Sequence, residues 1–150
     1  MVRAAAMADL PALAALFDGY RQFYEQAPNL GAATRFMQQR LQRGDAVLLV
    51  AEHAAGRGPL IGFCQLYLSF CSIAAQPIQI LSDLFVAPGA RRAGAGRALL
   101  QAAHAQAAEL GVARLELTTA RSNHRAQALY ASLGWVLDEV YLAYSRQVAD

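Results

Sequence analysis

The stretch "PIQILSDLFVAPGARRAGAGRALLQAA", residues 77–103, constrains the chain more than any other. A run of apolar residues with strand character enters a turn carrying three arginines and three glycines. That turn feeds directly into an alanine- and leucine-rich segment of helical spacing, predicted from about Arg92 to Leu110 and ended by Gly111. "ARLELTTA" then reads as a further strand. A strand–helix–strand unit over 78–119 requires a parallel pair joined by a right-handed crossover.

The rest of the chain supplies antiparallel neighbours. "VRAA" is a short extended start, and "MADLPALAALFDGYRQFY" is a first helix with Asp9 as N-cap and Pro11 in the first turn. Pro28, Asn29 and Gly31 break it, and "AATRFMQQRLQRG" forms a second helix ending at Gly44. "AVLLVAEH" and "LIGFCQLYLSF" flank the turn-forming "AAGRGP" and are expected to form a hairpin. After the 113–120 strand, "NHRAQALYASLG" is a short helix closed by Gly134, and "WVLDEVYLAYSRQV" a last strand or strand pair. The order is β-α-α-β-β-β-α-β-α-β, an α/β (α+β) chain with a mixed sheet covered by helices on both faces. Length favours one domain over residues 1–150.

Composition narrows the ligand. Hydrophobic residues make up 56% and charged residues 16%, and the net charge of +2 comes from arginine alone, because the chain has no lysine. So small a basic excess suits an anionic small molecule better than a nucleic-acid track, which needs a denser basic face, and no nucleic-acid partner is expected. Cys64 and Cys71, seven apart, match no metal-ligand spacing and read as reduced thiols of a cytoplasmic protein; no metal is expected. No apolar run is long enough for a signal h-region or a membrane span, so no membrane association is expected.

A glycine-rich turn between a strand and a helix presents unpaired N–H groups at the positive helix end, a site for phosphate. Gly94 and Gly96 relieve steric crowding, and Arg91, Arg92 and Arg97 add charge-assisted donors. The Walker pattern fails for want of lysine. A dinucleotide fingerprint is half present: Gly94 and Gly96 are followed by Leu99 where a third glycine belongs, with Glu116 about 20 residues on. A small NAD-type oxidoreductase module is therefore one reading of this turn.

The pattern without omissions is Arg91-x-x-Gly94-x-Gly96, five residues after Val86, together with "TTARSNHRAQALYASLGW", in which Asn123 precedes Tyr130 by seven and "LGW" follows. In both, and in the opening "VRAAAMADLPALAALF", the chain resembles the GNAT superfamily of N-acetyltransferases over essentially its whole length. The resemblance implies a largely antiparallel sheet with a central splayed parallel pair, acetyl-CoA as acyl donor and a primary amine of a small molecule or a lysine-bearing peptide as acceptor; a non-catalytic coenzyme A-binding or regulatory domain is the second alternative, beside the NAD-type module. It further implies that Arg91, Arg92, Ala93, Gly94, Ala95, Gly96 and Arg97 cradle the pyrophosphate, with Leu84, Phe85 and Val86 pairing with the pantetheine arm. Asn123 would bind the coenzyme or order water, though as a helix-start residue it also suits an N-cap.

The chemistry requires two proton movements. An alkyl ammonium of pKa about 10 must lose a proton before attack, and the departing thiolate must be protonated or stabilised. Tyr130 stands where the family carries its general acid; Asp83, three residues before Val86, is the candidate base, with Glu116 and Glu25 as alternatives. On a regular strand Asp83 faces away from Leu84 and Val86, and a bulge would change which side it meets. Tyr20, Tyr24, Glu25 and Tyr67 are candidate acceptor-binding residues, offering aromatic faces and a carboxylate to a cationic amine, or else packing helices on the sheet. His53 and His124 read as surface residues. Apolar C-terminal strands are compatible with a homodimer.

Overall fold

The computed structural model describes residues 1–53 and 58–149, so most of the predicted hairpin turn, residues 54–57, lies outside the described residues. The chain divides into two compact units, Met1–Thr118 and Thr119–Asp150. In the first, β1 (Val2–Ala4), β2 (Ala46–Glu52), β3 (Leu60–Cys71), β4 (Gln76–Val86) and β5 (Leu115–Glu116) form one sheet in sequential order. The first three pairings are antiparallel and β4–β5 is parallel, the mixed sheet expected from the strand–helix–strand unit. Helices α1 (Leu10–Phe23) and α2 (Leu30–Arg43) precede β2, and α3 (Ala95–Glu109) connects β4 to β5.

Neighbouring residues of β3 define the two faces. Phe63 meets the Phe17 ring of α1 edge-on at 6.1 Å, whereas the Cys64 thiol points at the Leu99 carbonyl of α3. Successive strand side chains alternate. Helices therefore cover both sides of the sheet, as expected. The main core lies on the α1–α2 side, where Leu13, Phe17, Ala33, Met37, Val50, Phe63 and Phe85 are buried together.

Local chemistry sets the helix ends. Asn29 is more than a breaker: its side chain accepts from the Ala32 N–H at 3.0 Å and caps α2, which closes on left-handed Gly44. Buried Asp18 accepts from the Asn29 N–H at 2.9 Å and ties the two helices together. Asp9 holds the N-cap position of α1, but its carboxylate turns back to the Ala6 N–H and to Arg3, which also grips Glu52. The Arg3 guanidinium holds the Asp9 carboxyl below the usual carboxylate range. This clamp fastens β1 to the entry of α1 and the end of β2.

Three expectations need correction. Helix α3 starts at Ala95, not Arg92, because Arg92 (φ 73°) and Gly94 (φ 82°) are left-handed and break the helical path. Only Leu115 and Glu116 of the 113–120 segment join the ladder. Residues 135–149 form no strand. The Asp138 carboxylate instead accepts from the N–H groups of Val140 and Tyr141, at 2.8 and 3.2 Å, turning the backbone and occupying donors that a ladder would need. No helix among the described residues is long and apolar enough to cross a membrane.

Gly62 on β3 is set by close approach. A Cβ there would stand 2.8 Å from the Phe85 carbonyl oxygen and 3.3 Å from both Leu99 and Val86 side chains. Gly62→Ala is expected to force β4 outward and lower unfolding free energy by about 1–3 kcal/mol, the usual cost of overpacking. Urea titration with an unchanged m-value checks this.

Candidate active site

The site begins with one extra residue. Gln65 pairs with Asp83, but Leu66 pairs with Leu81, so Ser82 has no opposite number and β4 bulges there. Leu81 therefore shares the α3 face with Leu66. Asp83 and Phe85, paired with Gln65 and Phe63, share the α1 face. Asp83 thus does lie opposite Leu84 and Val86, and the bulge decides that it lies opposite Leu81 as well.

Beyond the bulge the sheet opens. Pairing of β4 with β5 runs through Gln79–Leu115 and Ile80–Glu116, and among the described residues no strand pairs with that edge of β4 from Leu81 to Val86. Six residues of backbone are left at a strand edge beside the Arg–Gly turn. An extended amide-containing arm can add itself to such an edge by main-chain hydrogen bonds.

Asp83 sits beneath α1 and is buried. Its Oδ2 accepts from Gln65 Nε2 at 2.7 Å. The Tyr20 hydroxyl donates to the Ser82 carbonyl at 3.2 Å and lies within bonding reach of the Asp83 carboxylate. Burial pushes the Asp83 carboxyl above its ordinary value, and the bonds from Gln65 and Tyr20 offset only part of that rise. The Tyr20 ring meets Tyr24, Phe63 and Phe85 edge-on at 5.1, 5.9 and 6.1 Å. Tyr67, paired with Ile80 on this same face, is half-buried, and burial with the nearby Asp83 charge pushes its phenol up to about 12. The site therefore sets a buried carboxyl, its value raised by burial, among aromatic rings, with the neutral Tyr67 phenol on the same face.

The other expected residues distribute as follows. Glu25 is exposed on a left-handed turn (φ 64°) just past α1, and Glu116 is ion-paired with Arg114 at 2.7 Å. His53 and His124 are exposed. Cys64 is buried, and its thiol is pushed up to about 12 by burial first and the Asp83 charge second, so it is no nucleophile near neutral pH. Cys71 is also a free thiol.

The Arg–Gly turn leaves β4 through Pro88 and a single 3-10 turn, Pro88–Ala90. Arg91 donates from Nε to the Val86 carbonyl at 3.0 Å, and its guanidinium lies 5.6 Å from the Phe85 and Phe23 ring centres. It thus clips the turn to the end of β4 and reaches the end of α1. At the helix start the Ala98 N–H bonds to the Gly94 carbonyl at 3.0 Å, so the amides of Ala95 and Gly96 precede the helical ladder. Arg92 is exposed beside them. Gly94 is required by its φ, since nothing lies within 4 Å of an added Cβ.

In the second unit, α4 (His124–Ser132) is capped by Asn123, whose side chain accepts from the Ala126 N–H at 3.3 Å. Tyr130 lies in its last turn, partly buried, with its ring 6.0 Å from that of Trp135. Its carbonyl accepts from the N–H groups of Leu133 and Trp135, and the helix closes on left-handed Gly134. Val136, Leu137, Val140, Tyr141, Leu142, Tyr144 and Val148 are largely exposed.

Comparison with known proteins places this architecture. Residues 13–135 match the acetyltransferase (GNAT) family, and the chain belongs to it. It is 42% identical over 147 residues to the uncharacterized N-acetyltransferase YhfO of Bacillus subtilis, covering 98% of this chain and 97% of that one. Over 83 residues it is 34% identical to the D-amino-acid N-acetyltransferase HPA3 of Saccharomyces cerevisiae, covering 55% and 52% of the two chains. The crystal structure of a probable acetyltransferase superposes with a TM-score of 0.92 at 34% identity, over 100% of this chain and 99% of the other. The protein is an acetyltransferase enzyme of GNAT fold.

Proposed function

We propose that residues 1–150 act as one catalytic domain that transfers the acetyl group of acetyl-CoA to a primary amine of a small molecule or lysine-bearing peptide, by direct attack in a ternary complex. The observation that carries this reading is the open edge of β4 from Leu81 to Val86, running from the buried Asp83 to the Arg–Gly turn. The donor fits the residues present. The amides of Ala95 and Gly96 at the start of α3, with Ala93 and the Arg91, Arg92 and Arg97 side chains in the same turn, suit a pyrophosphate. Leu84 and Val86 turn main-chain groups to the open edge, where they suit the pantetheine amides, and the Val86 N–H serves as oxyanion donor; Phe85 between them bonds to β3 and contributes its ring. Acetyl-CoA, as substrate, supplies the activated thioester.

On the acceptor side, Tyr20, Tyr24 and Tyr67 receive the cationic amine. Asp83 takes its proton, directly or through one water. Burial raises its carboxyl above the ordinary aspartate value, which makes it a stronger base than an exposed aspartate. Tyr130 protonates the departing thiolate and Asn123 orders the donor. The acceptor class includes amino acids: the resemblance of "YRQFY" and "QLYLSF" to a GNAT branch with histone- and polyamine-acetylating relatives is joined by the likeness to a D-amino-acid N-acetyltransferase.

Thermal denaturation tests the donor. Acetyl-CoA at 100 times Kd is expected to raise Tm by about 5–10 °C, from a linkage energy of roughly 2.7 kcal/mol. NAD at equal concentration is expected to leave Tm unchanged. A shift with NAD alone would restore the dinucleotide reading.

A further inference from the structure

Gln65 belongs to none of the roles above, yet it is fully buried in the middle of β3 and lies directly opposite Asp83. We infer that Gln65 is a positioning residue for Asp83, its side-chain amide fixing the carboxylate that takes the acceptor's proton. The inference rests on the reading of Asp83 as base.

The hydrogen bonding carries the argument. Gln65 Nε2 lies 2.7 Å from Asp83 Oδ2. An ionised carboxylate only accepts, so the NH2 end of the amide must face it. The amide oxygen is then turned the other way. Among the described residues Gln65 Oε1 has no hydrogen-bond partner and is buried. A core selected for stability alone would avoid both a lone buried acceptor and a buried carboxylate, because apolar residues of similar volume remove both desolvation costs. This chain keeps the pair at the residue where the ladder changes register, Gln65/Leu66, which fixes the amide and the carboxylate side by side.

The groups around Asp83 leave this task to Gln65. From α1, the Tyr20 hydroxyl is shared with the Ser82 carbonyl. From β3, Tyr67 and Cys64 are held neutral by burial and carry no stabilising charge. Arg40 of α2 is ion-paired with Asp45 at 2.8 Å, and its influence falls on Tyr67. Gln65 therefore supplies the strongest bond to the ionised form of Asp83.

The test is a carboxyl 13C titration of aspartate-labelled protein by NMR, with Asp83→Asn identifying the signal. Gln65→Leu is expected to move the Asp83 midpoint about one pH unit higher, the equivalent of one charge-assisted hydrogen bond. The acid limb of kcat/KM should move with it, whereas a packing role would change Tm and leave the midpoint in place. Gln65→Met, with a flexible chain of similar volume, repeats the measurement if the leucine variant folds poorly. In the unaltered protein the Gln65 side-chain 15N–H2 resonance should titrate with the same midpoint. A resonance blind to that midpoint, or an unmoved midpoint in either folded variant, overturns the inference. Wild-type kcat/KM in Asp83→Asn would instead overturn the reading of Asp83 as base, whatever Gln65 does to its titration.

Discussion

Asp83→Asn is expected to lower kcat/KM by about 10²–10⁴-fold, the usual contribution of a positioned general base. The amide is nearly the same shape and can still meet Gln65 and Tyr20, so the fold should survive. The pH profile separates loss of the base from loss of geometry. In the native enzyme kcat/KM rises as Asp83 loses its proton, at a pH above the ordinary aspartate value because burial raises it. The variant should lack that limb and retain only the dependence set by the acceptor amine. Stability should move the other way. A carboxyl raised in the folded state binds its proton more tightly there than in the unfolded chain. Its contribution is therefore nil below the ordinary carboxylate pKa, becomes unfavourable as pH rises toward the raised value, and is constant above it. Urea titrations across that acid window should show Asp83→Asn gaining on the native protein as pH increases. A variant with native kcat/KM would remove Asp83 from the mechanism.

The second large effect is expected at Gly94. Its φ of 82° strains any other side chain by about 1–2 kcal/mol, and a glutamate at the positive end of α3 recovers up to about 1 kcal/mol of that. Gly94→Glu should therefore fold with nearly native stability while placing a carboxylate where the pyrophosphate belongs. Juxtaposed like charges cost several kcal/mol, so Kd for acetyl-CoA should rise by about two orders of magnitude or more. Isothermal titration calorimetry, with Gly94→Ala as a variant carrying the strain alone, separates charge from backbone. Unchanged affinity in the glutamate variant would move the donor site away from this turn.

What could be read in advance follows from the range of the interactions. Gly44, Gly111 and Gly134 mark chain reversals because left-handed backbone favours glycine, and all three have positive φ. Asn123 was legible as an N-cap because its partner is three residues away. Arg92 carries no such mark; an arginine at φ 73° is imposed by the turn around it, so the predicted helix began three residues early. Asp9 was placed correctly, but its side chain is claimed by Arg3 and the Ala6 N–H. The last strand failed because strand-like composition does not supply a partner, and Asp138 offers the local backbone another one.

At the site, residue types were easier to foresee than pairings. Asp83, Tyr20 and Tyr67 were each candidates from the sequence, and the structure gathers them on one face. Gln65 was missed. It lies between Cys64 and Leu66 in a strand buried on both sides, where an apolar run conceals a polar residue's purpose. The only signal was that a glutamine interrupts such a run at all, and its meaning depended on a register set 18 residues away.

The extra residue at Ser82 acts on β4 as a change of parity. Before it, even-numbered residues such as Ile78 and Ile80 face α1; after it, odd-numbered ones such as Asp83 and Phe85 do. The strand is in effect two words joined without a common spelling rule. The first is paired on both sides, by β3 and β5; the second sends Phe85 into the main core and sets Asp83 beside the open edge. Substitutions that retune the second for a different amine need not be compatible with the alternation of the first. In the proposed mechanism the acceptor is met at Asp83, so a change there leaves the pairing of the first half in place.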